Sequence, residues 1–579
     1  MGGIEAGLER LRREDALGQL LEGRGAMAEL AEEAGDRKLA WATQMAWVLD
    51  HPEALGAVEE TANQLRAGGV RHLIWAGMGG SVQVVRVLCR LGVFDGAGIA
   101  VHPLDSTDPA ALNRILDEIS KGRPLPEALA ETFMVAVSMG MTSEEPITHL
   151  EWFEGLLEEH GVEGTRVMVM TLPGSYLDDF ARKRGARRLP IQLDGESHTA
   201  GRMSAPSTQV FLLPAALALG GKGLREVVER CQSAYRIRPG LAREERDRLV
   251  SEDPFIRLSA WLHAQIGEGR NAILLDLAGA DRGFGPWVEQ VVEESLGKGG
   301  RGLLVFLDQD LRAAHGLPDR VSVVRVGEGS GATLPDRPHH DLPLGTGDGT
   351  AGRLEEAARF FAGWDLAVAM LGYLEGITFA GQPAVEGYKR YARELRDRDG
   401  DLPYPERGLV SSPDGEIALW LEPLADAGIA APADASDPAA ALAALLRAMV
   451  AQGRLGYLDV TLNGEPAGEL WDAVGEGARE LAAALHRPLK VRSGPADYHS
   501  TEQSETDGPP ELLSIRILVR EPEAVRAGAY SARFLHAQAL GTVAAMRDAH
   551  RPVVLLQIRG TAQAPQVRGL LAEAARQTL

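Results

Sequence analysis

Cysteine is nearly missing from this chain: Cys89 and Cys231 are the two thiols among 579 residues. Two cysteines so far apart exclude a disulfide framework and a cysteine metal cluster, and they point to a reducing compartment, the cytoplasm. Basic charge is also short, with 60 Lys and Arg against 82 Asp and Glu for a formal net charge of -22. The chain therefore lacks the cationic face that nucleic acid and anionic membrane surfaces need in a partner. No uninterrupted apolar run is long enough to span a bilayer, and the charged first residues lack the apolar core of a signal peptide. Both the Gly-Lys-Ser/Thr ending of a P-loop and the dinucleotide Gly-x-Gly-x-x-Gly spacing are wanting, which argues against nucleotide binding.

What is present is material for large cores, 45% hydrophobic residues over a length that suits three or four domains. Residues 1–50 read as an amphipathic helical lead-in. Apolar strands at 72–76, 98–102, 132–138 and 166–171 alternate with helical segments, a parallel α/β pattern filling 51–240. Strands at 271–275, 302–306 and 321–326, with long helical stretches after them, repeat that pattern over 241–396. A linker rich in Asp, Gly and Pro follows at 397–407. A third α/β region at 408–579 has strands near 417–422, 455–462, 513–519 and 553–558. Within it, 493–510 reads as a long polar loop of the functional kind.

The turn Gly77-Met78-Gly79-Gly80-Ser81 leaves a strand and opens a helix, so its N–H groups and the Ser81 hydroxyl suit an oxyanion. Taken alone it reads equally well as a tight turn without a ligand. A second hydroxyl-rich turn, Ser138-Met139-Gly140-Met141-Thr142-Ser143-Glu144-Glu145, follows the strand at 132–138 and precedes a helix. Two such turns at the carboxyl edge of a parallel sheet make a phosphate cradle. The segment WVEQVVEESLGKGGRG, 287–302, brings Glu294 to a helix end where a carboxylate can face a ligand. The pair His339-His340 lies in a Pro-flanked loop without further ligands, so no metal is expected. His536 sits on an ordinary Ala-rich helix.

In family order these segments resemble the glucose-6-phosphate isomerases, whose paired sugar-isomerase (SIS) domains open with a Gly-x-Gly-Gly-Ser turn. Asp105-Ser106-Thr107-Asp108-Pro109 is similar to the stretch after the second strand. Ala200-Gly201-Arg202-Met203-Ser204 is similar to a Gly-Gly-Arg-x-Ser signature, and 287–302 to the segment of the catalytic glutamate. Gln382-Pro383-Ala384-Val385-Glu386-Gly387-Tyr388-Lys389 resembles Gln-Pro-x-Val-Glu-x-x-Lys. Gly494-Pro495 with His499-Ser500-Thr501 resembles a Gly-Pro-x-x-x-His-Ser-Thr loop. With the later Ala537-Gln538-Ala539-Leu540-Gly541, the order is that of the isomerase half of transaldolase/glucose-6-phosphate isomerase fusion proteins.

The resemblance implies two parallel-sheet, three-layer SIS-type domains plus a C-terminal α/β domain carrying the histidine loop. It implies interconversion of glucose 6-phosphate and fructose 6-phosphate through an enediolate, with a sugar phosphate as partner and no metal or organic cofactor. Glu294 is then the base, Arg202 the stabiliser of the enediolate, and His499 with Lys389 the ring-opening pair. Gly80, Ser81, Ser138, Thr142 and Ser143 would hold phosphate, and Gly201 and Gln382 would line the rest of the substrate. A homodimer fits the family, in which the histidine often comes from a neighbouring subunit; the sequence leaves open which arrangement applies.

Two stretches depart from the pattern. Met139, Gly140 and Pro146 replace a lysine, a serine and a threonine of the phosphate loop. Glu502, Glu505 and Asp507 stand where the related fusion proteins are basic and flexible, and three carboxylates facing an anionic substrate would weaken its binding. Alternatives are therefore a sugar-phosphate-binding protein without catalysis, or an isomerase of another phosphosugar.

Overall fold

A computed structural model describes residues 2–307, 317–330, 337–345, 347–432, 435 and 437–578. After the N-terminal helices and a two-stranded ribbon, β1 (Glu32–Glu33) and β2 (Asp36–Arg37), the first parallel sheet begins. It comprises β3 (His72–Ala76), β4 (Ala100–Leu104), β5 (Thr132–Ser138), β6 (Val167–Thr171) and β7 (Arg187–Leu189), in the order β4-β3-β5-β6-β7. The second parallel sheet has β8 (Ala272–Asp276), β9 (Leu304–Phe306), β10 (Val321–Val326) and β11 (His339–Leu342), ordered β11-β10-β8-β9. Strands β3, β6 and β8 are buried along their whole length, as sheets covered on both faces require.

The C-terminal sheet is mixed. Its strands are β12 (Leu409–Ser411), β13 (Ile417–Trp420), β14 (Tyr457–Asn463), β15 (Leu489–Gly494), β16 (Leu512–Val519) and β17 (Val553–Ile558), ordered β12-β13-β17-β16-β14-β15. The four last-named members run parallel, while β13 and β12 close one edge antiparallel.

One large core joins the N-terminal helices to the inner faces of both parallel sheets. The other face of the second sheet, through Leu274, Phe306 and Val323, packs on Tyr457, Leu512 and Leu555 of the C-terminal unit. A parallel sheet must bury both faces, and here the C-terminal unit supplies one cover.

Several expectations change. His339 and His340 lie on β11, paired with β10, rather than in a loop. The stretch 493–510 is ordered: the end of β15, a 3-10 turn at Asp497–His499 and the helix Glu502–Asp507. Its polar residues suggested a loop because their partners lie on other elements. The linker at 397–407 is irregular, yet Leu402 joins the core and Arg520 stacks 3.7 Å from the Tyr404 ring centroid.

Candidate active site

The site forms where the carboxyl ends of β3, β5 and β15 meet the helix Gly285–Leu296. That helix is buried at every residue except Pro286. Trp287, Val288, Val291, Val292 and Leu296 enter the main core. Glu289 and Glu293, and likewise Gln290 and Glu294, are spaced four apart, which stacks them in two polar rows along the remaining face. The helix stops at Gly297, where a Cβ would lie 2.6 Å from the Cα of Ser504. Glycine is needed there by close approach of the C-terminal unit.

Arg202 reaches Glu294 from the 3-10 turn Gly201–Met203, Nη1 to Oε1 at 2.9 Å. Its Nε donates to Ser295 Oγ at 2.6 Å, and Nη2 to the carbonyls of Phe379 (2.6 Å) and Gly381 (3.3 Å). Gln290 Nε2 donates to Glu294 Oε2 at 2.8 Å and to the His499 carbonyl at 3.2 Å. One amide thus ties the carboxylate to the histidine turn, while Gln290 Oε1 is buried without a partner among the described residues. Burial pushes the Glu294 carboxyl up, and the Arg202 charge opposes that shift.

His499 occupies the turn after β15, with its ring Nε2 at 2.6 Å from both Tyr388 Oη and Glu145 Oε1. Gln538 donates to the same Glu145 oxygen at 2.8 Å and is in turn held by Thr107 Oγ1 at 2.6 Å. Burial alone would raise the Glu145 carboxyl; the charge and hydrogen bond of His499 outweigh it and, with Lys389, hold it down at about 2. Lys389 follows Tyr388 on the helix Pro383–Arg396, its Nζ 3.9 Å from where a Cβ of Gly140 would be and 2.6 Å from Glu386 Oε1. Arg202, Glu294, Lys389 and His499 are all under a tenth exposed, at 2%, 3%, 6% and 7%. A single chain brings them to one neighbourhood.

The turns expected to hold phosphate border this cluster. Gly79 takes φ +55°, and a Cβ there would sit 2.8 Å from both Gln290 Nε2 and the His499 carbonyl. A Cβ on Gly80 would lie 2.7 Å from Arg202 Cα and strike the Gly201 carbonyl. A Cβ on Gly201 would in turn lie 3.4 Å from the Cβ of Met139. Ser81 donates to the Met78 carbonyl at 2.7 Å and Ser138 to that of Gly140 at 2.9 Å, so both hydroxyl protons serve their own turns. Thr142 Oγ1 donates to Glu386 Oε2 at 3.1 Å, and Ser143 is buried beside Gly140. Gln382 is half-buried ahead of its helix, where its carbonyl accepts from Glu386 N at 3.3 Å.

Two of the three carboxylates of the helix at 502–507, Glu502 and Glu505, do not confront the cluster in the way their sequence suggests. Arg516 donates to Glu502 at 2.9 Å and also to Glu505, and Arg492 pairs with Glu505. Arg492 and Lys490 also engage Glu289 (2.8 and 2.7 Å), and Lys490 binds Glu293. Long-range cations absorb these negative charges, which a local reading of the loop misses. Glu145, Gln290, Tyr388 and Gln538 all stand inside quoted motifs, yet their place in the site depends on partners 100 residues or more away, as in the Tyr388–His499 and Gln290–His499 bonds.

No family model matches the chain. It is 26% identical over 365 residues to a probable glucose-6-phosphate isomerase of Haloarcula marismortui, covering 56% of this chain and 77% of that protein. A probable glucose-6-phosphate isomerase of Halobacterium salinarum is 28% identical, with coverages of 53% and 76%. A glucose-6-phosphate isomerase of Prochlorococcus marinus is 27% identical, but the match spans 40% of that protein and 42% of this chain. In fold, the chain is similar to the crystal structure of a glucose-6-phosphate isomerase from Chlamydia trachomatis, with a TM-score of 0.50, 16% identity, and 68% of this chain and 85% of that one covered. It is similar also to a hypothetical protein of Thermus thermophilus, with a TM-score of 0.51, 20% identity, and coverages of 69% and 98%. The paired parallel sheets share the fold of these two structures. Sequence and fold point the same way: the chain is similar to glucose-6-phosphate isomerases.

Proposed function

We propose that this protein interconverts an aldose 6-phosphate and its ketose, with glucose 6-phosphate and fructose 6-phosphate as the first pair to test. The observation that carries this reading is the buried pairing of Glu294 with Arg202, tied through Gln290 to the turn of His499. Glu294, made more basic by burial, takes the proton alpha to the carbonyl and returns it to the neighbouring carbon. Arg202, a permanent cation in a dry setting, stabilises the enediolate between the two transfers. His499 exchanges the ring-opening proton, with ionised Glu145 and the Tyr388 hydroxyl fixing its Nε2 edge and Lys389 alongside. Gln290 Oε1 is free to accept from a sugar hydroxyl. Thr142 and Ser143, with the turns at Gly80–Ser81 and Ser138, border the place for the phosphate.

A coupled assay of the purified chain beside Glu294→Gln tests the reading. Wild type should turn over glucose 6-phosphate or fructose 6-phosphate, and the variant should fall by at least about a hundredfold. Binding without turnover above the variant would identify a sugar-phosphate-binding protein. The engagement of the Ser81 and Ser138 protons within their own turns is the reason to include other phosphosugars, because it alters the phosphate grip.

A further inference from the structure

The turn that ends the glutamate helix carries a second cation. Lys298 is half-buried, and its Nζ donates to three main-chain oxygens: Ser295 at 2.9 Å, Thr378 at 2.7 Å and Ala380 at 2.8 Å. Arg202 holds the carbonyls of Phe379 and Gly381. Four successive carbonyls, 378 to 381, are therefore gripped alternately by two cations. These residues connect the helix Gly349–Glu375 to the helix Pro383–Arg396, which carries Tyr388 and Lys389. The same turn is fastened from the other side: Gln503 donates to the Gly297 carbonyl at 3.1 Å and accepts from Ala384 N at 2.9 Å.

We propose that Lys298 is a positioning residue: by sharing the carbonyls of 378–381 with Arg202, it fixes both the guanidinium beside Glu294 and the origin of the helix bearing Tyr388 and Lys389. The catalytic part of this inference rests on the isomerase reading. An ammonium offers three N–H bonds, and here three carbonyls receive them. A neutral amine has two, so one carbonyl loses its donor on deprotonation. Arg202 faces the ammonium with like charge, whereas Glu294, Glu33 of the N-terminal ribbon and Asp507 of the C-terminal unit favour the charged form. Burial and Arg202 prevail and lower the group to about 7, so the grip weakens as pH rises through neutrality.

Lys298→Met and Lys298→Arg in the full chain test this by amide hydrogen exchange over residues 376–389 and by pH profiles of kcat and KM on an aldose phosphate. Lys298→Met should speed exchange there by about tenfold or more and lower kcat by a similar factor with less change in KM, the mark of misplaced groups. Lys298→Arg should restore protection and sustain kcat to higher pH than wild type, since a guanidinium does not deprotonate. The proposal is overturned if Lys298→Met leaves exchange unchanged, or if wild type and Lys298→Arg lose kcat at the same pH. Should wild type turn over no phosphosugar, the isomerase reading fails while the exchange comparison still decides the clamp.

Discussion

Burial acts on two carboxyls of the site and yields opposite outcomes, because their partners differ. Glu294 is raised by burial in spite of Arg202, as the proposed base role requires; Glu145 is held at about 2, with its charge against His499. A group lowered on folding contributes stability that is complete above its ordinary 4.5 and is lost as pH falls through about 2. Glu145→Gln should therefore be less stable than wild type to urea at pH 7, with the gap closing toward pH 2. Glu386 presents a different case. Its carboxylate receives both the Thr142 hydroxyl and the Lys389 ammonium, two groups assigned to the substrate, so an incoming phosphate competes with it. Glu386→Gln should lower the KM for the phosphosugar severalfold and tighten competitive inhibition by inorganic phosphate; unchanged constants would dismiss that competition. At this scale the sequence motifs named the four groups now found together. They were silent on Gln290 and Glu145, whose roles reside in bonds to distant residues rather than in their own identity.

Among the elements, the helix Gly285–Leu296 and strand β15 depend on one another. Glu289 and Glu293 of the helix would be buried charges without Lys490 and Arg492 of the strand. Burial raises Glu293, while the two cations keep Glu289 low, so the pair shares its charge unevenly. Removing one cation leaves an uncompensated carboxylate in the interior. Lys490→Met should cost about 3 kcal/mol in urea unfolding, within the range for breaking a buried pair, whereas Lys490→Arg should cost clearly less. Apolar strands such as β3, β5, β6 and β17 are legible because their hydrophobic runs state their burial. Strand β15, LKVRSG, and β11, HHDL, escape that test because their polar side chains are satisfied by other units or lie at an edge.

Over the whole molecule, the C-terminal unit is bound to both parallel sheets. It covers the second sheet with apolar side chains. Toward the first it sends the segment after β16, where Asn113 meets Glu523 at 2.8 Å, Trp152 donates to the Ala527 carbonyl at 3.0 Å and Tyr530 to that of Thr107 at 2.9 Å. Such extensive shared burial should make thermal unfolding a single transition by calorimetry, and a separate early melting of the C-terminal unit would contradict it. Because His499 meets Glu145 and Gln290 of its own chain, specific activity should also stay constant on dilution through any change of oligomeric state. The overall architecture was legible from alternating strands and helices, but the placement of one unit on another is carried by scattered residues that no local pattern reveals.

The separate core of the C-terminal unit has a consequence for descent. The proposed base and guanidinium, Glu294 and Arg202, are encoded with the paired sheets, and His499 with a region that has a hydrophobic interior of its own. Substitutions inside that interior can accumulate without touching Glu294 or Arg202. The two parts touch at Gln290, Gly297 and the cations of β15 among other places, and those contacts are where compensating changes between them should be sought.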